Sequence, residues 1–218
     1  MITLFIIILT CAISIAAFRN NALANKLIFY PPAVRKGEWY RLFTYGVLHA
    51  DSTHLFFNMF TLYLFGSYIE KICRATLGIR AGSVCFILLY VSALPLSILP
   101  TYLKHKNDAY YRSLGASGAV SAVVFAYILI HPMNFMGILF IPIMLPAFIF
   151  GLIYIALSFY LDKNRPGGIN HSAHIAGGIY GIMFMTVSFA TLADWNLLAS
   201  FLDRIHINSL NDLIYIGY

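Results

Sequence analysis

Between Ser113 and Leu161 the chain runs for 49 residues without one Asp, Glu, Lys or Arg. No soluble domain folds around such a stretch, because about 25% of an ordinary domain's residues are charged and keep its surface wet. Here only 10% of the 218 residues are charged and 61% are hydrophobic, and the mean hydropathy is +0.80. Lipid must cover most of the surface. Helices satisfy their own backbone hydrogen bonds in hydrocarbon, so the expected class is an all-α, polytopic membrane protein. The net charge of +6 does not point to nucleic acid, since the basic residues are scattered between apolar runs, where lipid head groups lie. The lipid bilayer is the expected partner. Cys11, Cys73 and Cys85 sit in or beside apolar segments, odd in number and without metal-ligand spacing. Neither a disulfide framework nor a metal site is expected from them.

A hydrocarbon core of about 30 Å takes roughly 20 apolar residues per helix. Five charge-free stretches meet that need: Ile2 to Phe18, Ser52 to Ile69, Ala81 to Leu103, Ser113 to Leu161 and Pro166 to Ala193. The fourth is too long for one helix, and His131-Pro132-Met133-Asn134 breaks it with a proline and polar turn residues. Six spans result. Ala22-Leu23-Ala24 has the form of a signal-peptidase site, but no Lys or Arg precedes the apolar run, so the first span reads as a retained helix. Residues 19 to 51, with Pro31-Pro32, Trp39, Tyr40 and Arg41, read as a structured interfacial loop. The expected organisation is a membrane domain over residues 1–193 and an amphipathic C-terminal tail over 194–218.

Alternating crossings bring the N-terminal ends of spans two, four and six to one side of the membrane. The polar residues gather at those ends: His49, Asp51, Ser52, His54 and Asn58 on span two, Gly115-Ala116-Ser117-Gly118 on span four, and His171, Ser172 and His174 on span six. Taken singly, each has an ordinary structural reading, such as a serine bonding its own helix or a histidine at the interface. Three clusters converging on one side point instead to function, because polar groups at membrane depth are costly.

The 14 residues from Ser117 to the break at His131 make a helix of about 20 Å at 1.5 Å per residue, shorter than the hydrocarbon core. Ser117 therefore starts below the surface. Irregular backbone leading down to it is tolerated only against protein or water, which implies a polar cavity. Ser117 also lies at a helix N-terminus, where free N–H groups favour negative charge. A serine hydroxyl needs an adjacent base, and His174 is the best-placed histidine. Ala173, Gly177 and Gly181 follow one another at four-residue spacing, a small-residue stripe that permits close helix approach, and Gly115 and Gly118 flank the serine to offer a second flat surface. His54 and Asn58 are four residues apart and share a helical face, and both side chains donate hydrogen bonds. Span three and the interiors of spans four to six contain no Asp or Glu, so the arrangement is a Ser-His dyad rather than a triad. The absence of paired intramembrane aspartates and of His-Glu-x-x-His excludes aspartyl and zinc proteases of the membrane.

Gly115-Ala116-Ser117-Gly118, together with His171-Ser172-Ala173-His174-Ile175-Ala176-Gly177-Gly178, resembles the rhomboid family of intramembrane serine proteases. Trp39-Tyr40-Arg41 to Thr44 resembles the family's loop-one signature, His54-Leu55-Phe56-Phe57-Asn58 its second-helix motif, and Gly66 with Glu70 the end of that helix. The resemblance implies a six-helix rhomboid-like bundle and an intramembrane serine endopeptidase that cleaves transmembrane segments of other membrane proteins. It makes Ser117 the nucleophile and His174 the base. His54, Asn58 and the Ser117 backbone N–H form the oxyanion hole, and no cofactor is involved. One departure stands out: where the family often has an aromatic one turn after the serine, stacked on the imidazole, this chain has Ser121. His174 must be held in another way.

Two rival readings are a catalytically silent rhomboid-like protein that binds transmembrane segments, and a small transporter using the polar cavity. Lys and Arg number ten on the side of loops one, three and five and four on the other. The positive-inside rule alone faces the site toward the cytoplasm; the resemblance faces it outward, in a bacterial cell (inner) membrane, and is the orientation followed. Pro142 and Pro146 are expected to lie within span five and bend it, with Phe148 and Phe150 on its inward face. In rhomboids this span and the loop after it, here around Leu161 to Asn170 with Pro166-Gly167-Gly168, act as gate and cap.

Overall fold

The computed structural model describes residues 1–138, 141–164 and 168–216. Ile2–Phe18 forms α1. The interfacial loop is folded throughout, into α2 (Asn21–Leu27), α3 (Pro31–Arg35), α4 (Arg41–Thr44) and a 3-10 turn at Tyr45–Val47. Span two is longer than its charge-free stretch: α5 (Ser52–Thr61) passes through a π-helical turn (Leu62–Gly66) into α6 (Ser67–Leu77). Then come α7 (Ile79–His105), α8 (Ser117–Ile130), α9 (Ala147–Asn164) and α10 (His171–Ala193). Among the described residues, α7, α9 and α10 are each long and apolar enough to cross a membrane, and α1 and α8 are shorter apolar helices. The chain is a mainly helical, polytopic membrane protein.

Helix α8 is the axis of the bundle. Eleven of its fourteen residues are buried, in keeping with a helix that is apolar on every side. By contrast α9 lies at the edge, with only Ala147, Gly151 and Ser158 of its 18 residues buried. The end of α6 anchors α1: the Glu70 carboxylate accepts the Ile2 and Thr3 N–H groups, each at 2.9 Å, and the Thr3 hydroxyl at 2.8 Å. These are donors that a helix N-terminus leaves free. A Cβ on Gly66 would stand 3.1 Å from Thr3 Cγ2, so the Gly66 and Glu70 pair of the sequence serves to seat α1.

The expectation for the start of span five does not hold. Phe135–Gly137 (β1) and Ile143–Pro146 (β2) pair antiparallel, with Phe135 opposite Pro146 and Gly137 opposite Met144. Helix α9 begins only at Ala147, so neither Pro142 nor Pro146 lies inside it and neither bends it. The prolines fall where a missing N–H costs no helical bond. The break at His131 to Asn134 caps α9 instead: Ala147 N–H donates to the Asn134 carbonyl at 2.8 Å and Phe148 N–H to the Pro132 carbonyl at 3.0 Å.

Beyond α10, Leu197–Asp203 forms α11 and Tyr215–Ile216 forms β3. This third strand pairs with β2, Ile143 opposite Ile216. Arg204, after α11, donates to the Ile130 carbonyl and lies over the Trp195 ring. It closes the C-terminal end of α8, whose last carbonyls have no helical partner.

Candidate active site

Loop one works as a brace for the loop that descends to Ser117. Arg41 is 7% exposed, and its guanidinium donates to the carbonyls of Asn25 at 2.7 Å and Ile28 at 2.8 Å and to Glu38 at 2.8 Å. The Tyr40 hydroxyl also donates to Glu38, at 2.7 Å, and these two bonds hold the Glu38 carboxyl below the usual carboxylate range. The fixed Ile28 leads into Phe29, which pairs with Ser113 as an antiparallel bridge. Two residues on, the Gly115 N–H donates to the Tyr45 carbonyl at 3.0 Å. Gly115 has φ +118°, a conformation that glycine adopts readily. A Cβ there would also stand 2.8 Å from His54 Cε1, so its glycine is required twice over.

Of the small residues, Gly118, Ala173, Gly177 and Gly181 act at the α8–α10 contact, whereas Gly115, expected beside them, faces His54 instead. A Cβ on Gly177 would run into the Gly118 carbonyl, and one on Gly181 into the Ala122 carbonyl. Ala173 is buried at the same seam, its carbonyl 3.3 Å from where a Gly118 Cβ would be. Backbone against backbone, the two helices approach closely enough to place His174 Nε2 at 2.7 Å from Ser117 Oγ. With the imidazole neutral, the hydroxyl donates and Nε2 accepts. Among the described residues no carboxylate bonds to His174.

A cavity of about 630 Å³ opens beside this pair and is lined by His54, Asn58, Gly115, Ser117, Gly118 and His174, with exposed Asp51 and Arg112 at its rim. Ala116 provides no side-chain cap for α8, so first-turn N–H groups of α8, that of Ser117 among them, remain available. His54 Nδ1 faces the Ala50 N–H at 3.5 Å, the long end of a hydrogen bond, which favours the proton on Nε2. Behind it, His49 packs edge-on, ring centroids 5.0 Å apart, and is pinned at 3.0 Å to Ser14 Oγ. Asn58 is 8% exposed. One of its amide hydrogens goes to the His54 carbonyl at 3.0 Å, and the other has no partner among the described residues, which leaves it to a ligand.

Three residues at the site escaped the sequence reading. Tyr154 of α9 lies against His174, ring centroids 6.0 Å apart and planes 21° apart, and its hydroxyl is 2.8 Å from Ser121 Oγ. Asn170 caps α10 by accepting the Ala173 N–H at 3.1 Å, and also accepts the Thr101 hydroxyl at 2.9 Å. Asp162, near the end of α9, accepts the Ser172 hydroxyl at 2.9 Å and its N–H at 3.1 Å. A signal for Tyr154 was present: Ala147, Gly151, Tyr154 and Ser158 fall at 0, 4, 7 and 11, one face of a helix. His171 lies edge-on to His174 at 5.8 Å. Pro166 and Gly167 of the cap loop lie outside the described residues.

The Rhomboid domain family matches residues 36–191, well over half of the 218 residues, and the chain belongs to that family. Similar proteins include YdcA of Bacillus subtilis, provisionally named a rhomboid protease, 33% identical over 99 residues, 45% of each chain. RHOMBOID-like protein 12, mitochondrial, of Arabidopsis thaliana is 26% identical over 168 residues, 73% of this chain and 49% of that protein. Rhomboid protease GluP of Bacillus subtilis is 33% identical over 87 residues, 40% of this chain and 15% of that one. The matches span less than half the length of each of these relatives.

Proposed function

We propose that the chain is an intramembrane serine endopeptidase that cleaves transmembrane segments of other membrane proteins. The observation that carries this reading is the 2.7 Å contact between Ser117 Oγ and His174 Nε2, made at the start of a buried helix and beside a cavity. In the first half of the reaction Ser117 Oγ attacks the scissile carbonyl carbon and its proton passes to His174 Nε2. The oxyanion that forms is held by the Ser117 N–H, by His54 and by the second Asn58 amide hydrogen. The C–N bond breaks as His174 returns the proton to the leaving amine, which leaves an acyl-enzyme on Ser117. A water molecule then gives its proton to His174 and attacks the ester, and Ser117 leaves with that proton as the carboxylic product departs.

The site needs no metal or cofactor for these steps. The cavity, buried at membrane depth yet open at its rim, suits a substrate whose peptide bond is unwound from a helix. The membrane proposed is the bacterial cell membrane, since two relatives are bacterial, although the plant relative carries a mitochondrial name. Fractionation of the source cells decides that point.

The activity is tested by covalent labelling of Ser117 with a fluorophosphonate and by cleavage of a transmembrane substrate in detergent. Ser117→Ala and His174→Ala should each abolish cleavage, and the double variant should be no worse, because the pair acts as one unit. A folded single variant that keeps more than about a hundredth of wild-type turnover sinks the general-base account. A wild-type chain inert to both assays overturns the protease reading in favour of the silent binder or the transporter.

A further inference from the structure

The imidazole of His174 has no aromatic above it from α8, because the position one turn after Ser117 is Ser121. Its face is nonetheless covered. Tyr154 reaches across from α9 and lays its ring nearly parallel to the imidazole, 21° between planes and 6.0 Å between centroids, an offset arrangement of the kind aromatic rings favour. The tyrosine is held at both ends, by the α9 backbone and by the 2.8 Å bond from its hydroxyl to Ser121 Oγ. Ser121 is 4% exposed, so without that partner its hydroxyl is left in an apolar interior, which is costly. Thus α8 supplies a small polar anchor and α9 supplies the ring.

The helix that carries the ring lies at the edge of the bundle. Only three of its 18 residues are buried, against eleven of fourteen in α8, and a segment with few buried contacts is the one that moves at least cost. Gly151, one turn before Tyr154, marks the contact: a Cβ there would stand 3.1 Å from Ile128 and 3.4 Å from Phe125 of α8. Displacing α9 separates this seam and removes the tyrosine from His174 together.

We propose that Tyr154 positions the His174 imidazole and that, because it rides on α9, the Ser117–His174 geometry is complete only while α9 is packed against α8. This rests on the protease reading above. Movement of α9 that admits a transmembrane segment withdraws the support, and closure restores it, so that the chemistry follows closure and the base is out of place while the site is open to lipid.

The test compares kcat and KM on a transmembrane substrate for the full chain and for Tyr154→Leu, Tyr154→Phe, Ser121→Ala and the double variant Ser121→Tyr/Tyr154→Leu. Tyr154→Leu should lower kcat by about tenfold or more with KM little changed, since misplacement of a reacting group by ~1 Å costs up to about 10²-fold. Ser121→Ala and Tyr154→Phe, which keep the ring and lose only its anchor, should lower kcat a few-fold. The double variant moves the aromatic to α8 and should recover most of the loss, a rescue that a merely structural role for Tyr154 does not predict. A folded Tyr154→Leu with kcat within about twofold of wild type overturns the proposal, as does a loss that the double variant fails to restore. If Tyr154→Leu does not fold, an unchanged kcat in Ser121→Ala overturns it. Wild-type inertness to fluorophosphonate, read before any variant is compared, overturns the protease reading itself and this one with it.

Discussion

Phe29 and Ser113, 84 positions apart, exchange two backbone hydrogen bonds of 3.1 and 3.2 Å, and through them loop one fixes the height at which α8 begins. The chain from Ser113 to Ala116 has no helix or sheet of its own to hold it, and a loop at membrane depth is stable only if its polar groups find partners in protein or water. Phe29 and Tyr45 provide them. Arg41 in turn fastens the segment leading to Phe29, which is why a buried cation in a surface loop belongs to the site.

Arg41→Ala should therefore destabilise the protein and impair catalysis together. It strips a charged donor from the part-buried Ile28 carbonyl and from that of exposed Asn25, and a hydrogen bond to a charged group contributes about 1.5–3 kcal/mol, less where water can replace it. Arg41→Lys should not rescue, because an ammonium cannot fork to both carbonyls and Glu38. Thermal unfolding in mild detergent and kcat on a transmembrane substrate check both effects. A variant that loses stability with kcat intact shows that loop one does not set the position of Ser117.

Glu38 adds a pH dependence. Its folded-state pKa is lowered, by Tyr40 first and then Arg41, so its stabilising contribution is present above its unfolded pKa and disappears as the pH falls through the lowered folded value. Glu38→Gln should flatten that part of the acid limb of the melting curve. The effect is small, because the carboxylate is open to solvent, and a limb that is identical in the variant discards it.

Gly177→Ala tests the seam between α8 and α10. Its Cβ meets the Gly118 carbonyl, backbone that cannot step aside, so the helices must separate at the residue next to Ser117. Turnover should drop by about 10²-fold, the order expected for a displacement near 1 Å, while Ser117 and His174 are both still present. Full activity in a folded Gly177→Ala means the seam tolerates expansion and the stripe is only packing.

That seam was legible in the sequence because spacing and residue size alone define it: Ala173, Gly177 and Gly181 fall on one face, and only small residues allow such an approach. The pairing of Ser117 with His174 followed from helix parity in the same way. The hairpin was not legible. Phe135 to Pro146 is a short apolar run, and by periodicity such a run cannot be told from a buried helix segment; Pro142 and Pro146 argue against helix, but a proline also fits as a bend within one. Tyr154 was missed for a different reason. Its spacing with Gly151 and Ser158 showed which face of α9 turns inward, but not which part of α8 that face meets, a distance that only the folded chain fixes. Three loop-side cations that weigh in a charge count are likewise committed to structure: Arg41, Arg35, which bonds Asn107 at 2.6 Å, and Arg112, stacked 3.8 Å above the Tyr30 ring. Counting them as orienting charges overstates the basic bias of that side.

Asn58→Ala should separate oxyanion stabilisation from substrate binding. Loss of one such donor costs about 10²–10³ in turnover, with little change in KM, and His54 and the Ser117 N–H keep the loss partial. The side chain also ties to the His54 carbonyl at 3.0 Å, so a melting curve must accompany the kinetics. An effect confined to KM makes Asn58 a substrate contact instead.

Substrate access is tested at Phe150 rather than Phe148. Phe150 packs against the buried cluster of Phe125, Ile128, Met136 and Ala147, whereas Phe148 has no part in it. Large-to-small changes in a packed core cost about 2–5 kcal/mol, and a half-buried ring should fall at the low end. Phe150→Ala should lower the melting temperature and raise kcat/KM on a transmembrane substrate, because the seam between α9 and α8 opens more readily. At saturating substrate kcat should not rise, since a loosened α9 also loosens the hold of Tyr154 on His174. Phe148→Ala should change neither constant. The deciding control is the rate at which a small, water-soluble fluorophosphonate labels Ser117. If that rate rises as much as kcat/KM does, the substitution has opened the site to water in general, and lateral admission past α9 is the wrong account.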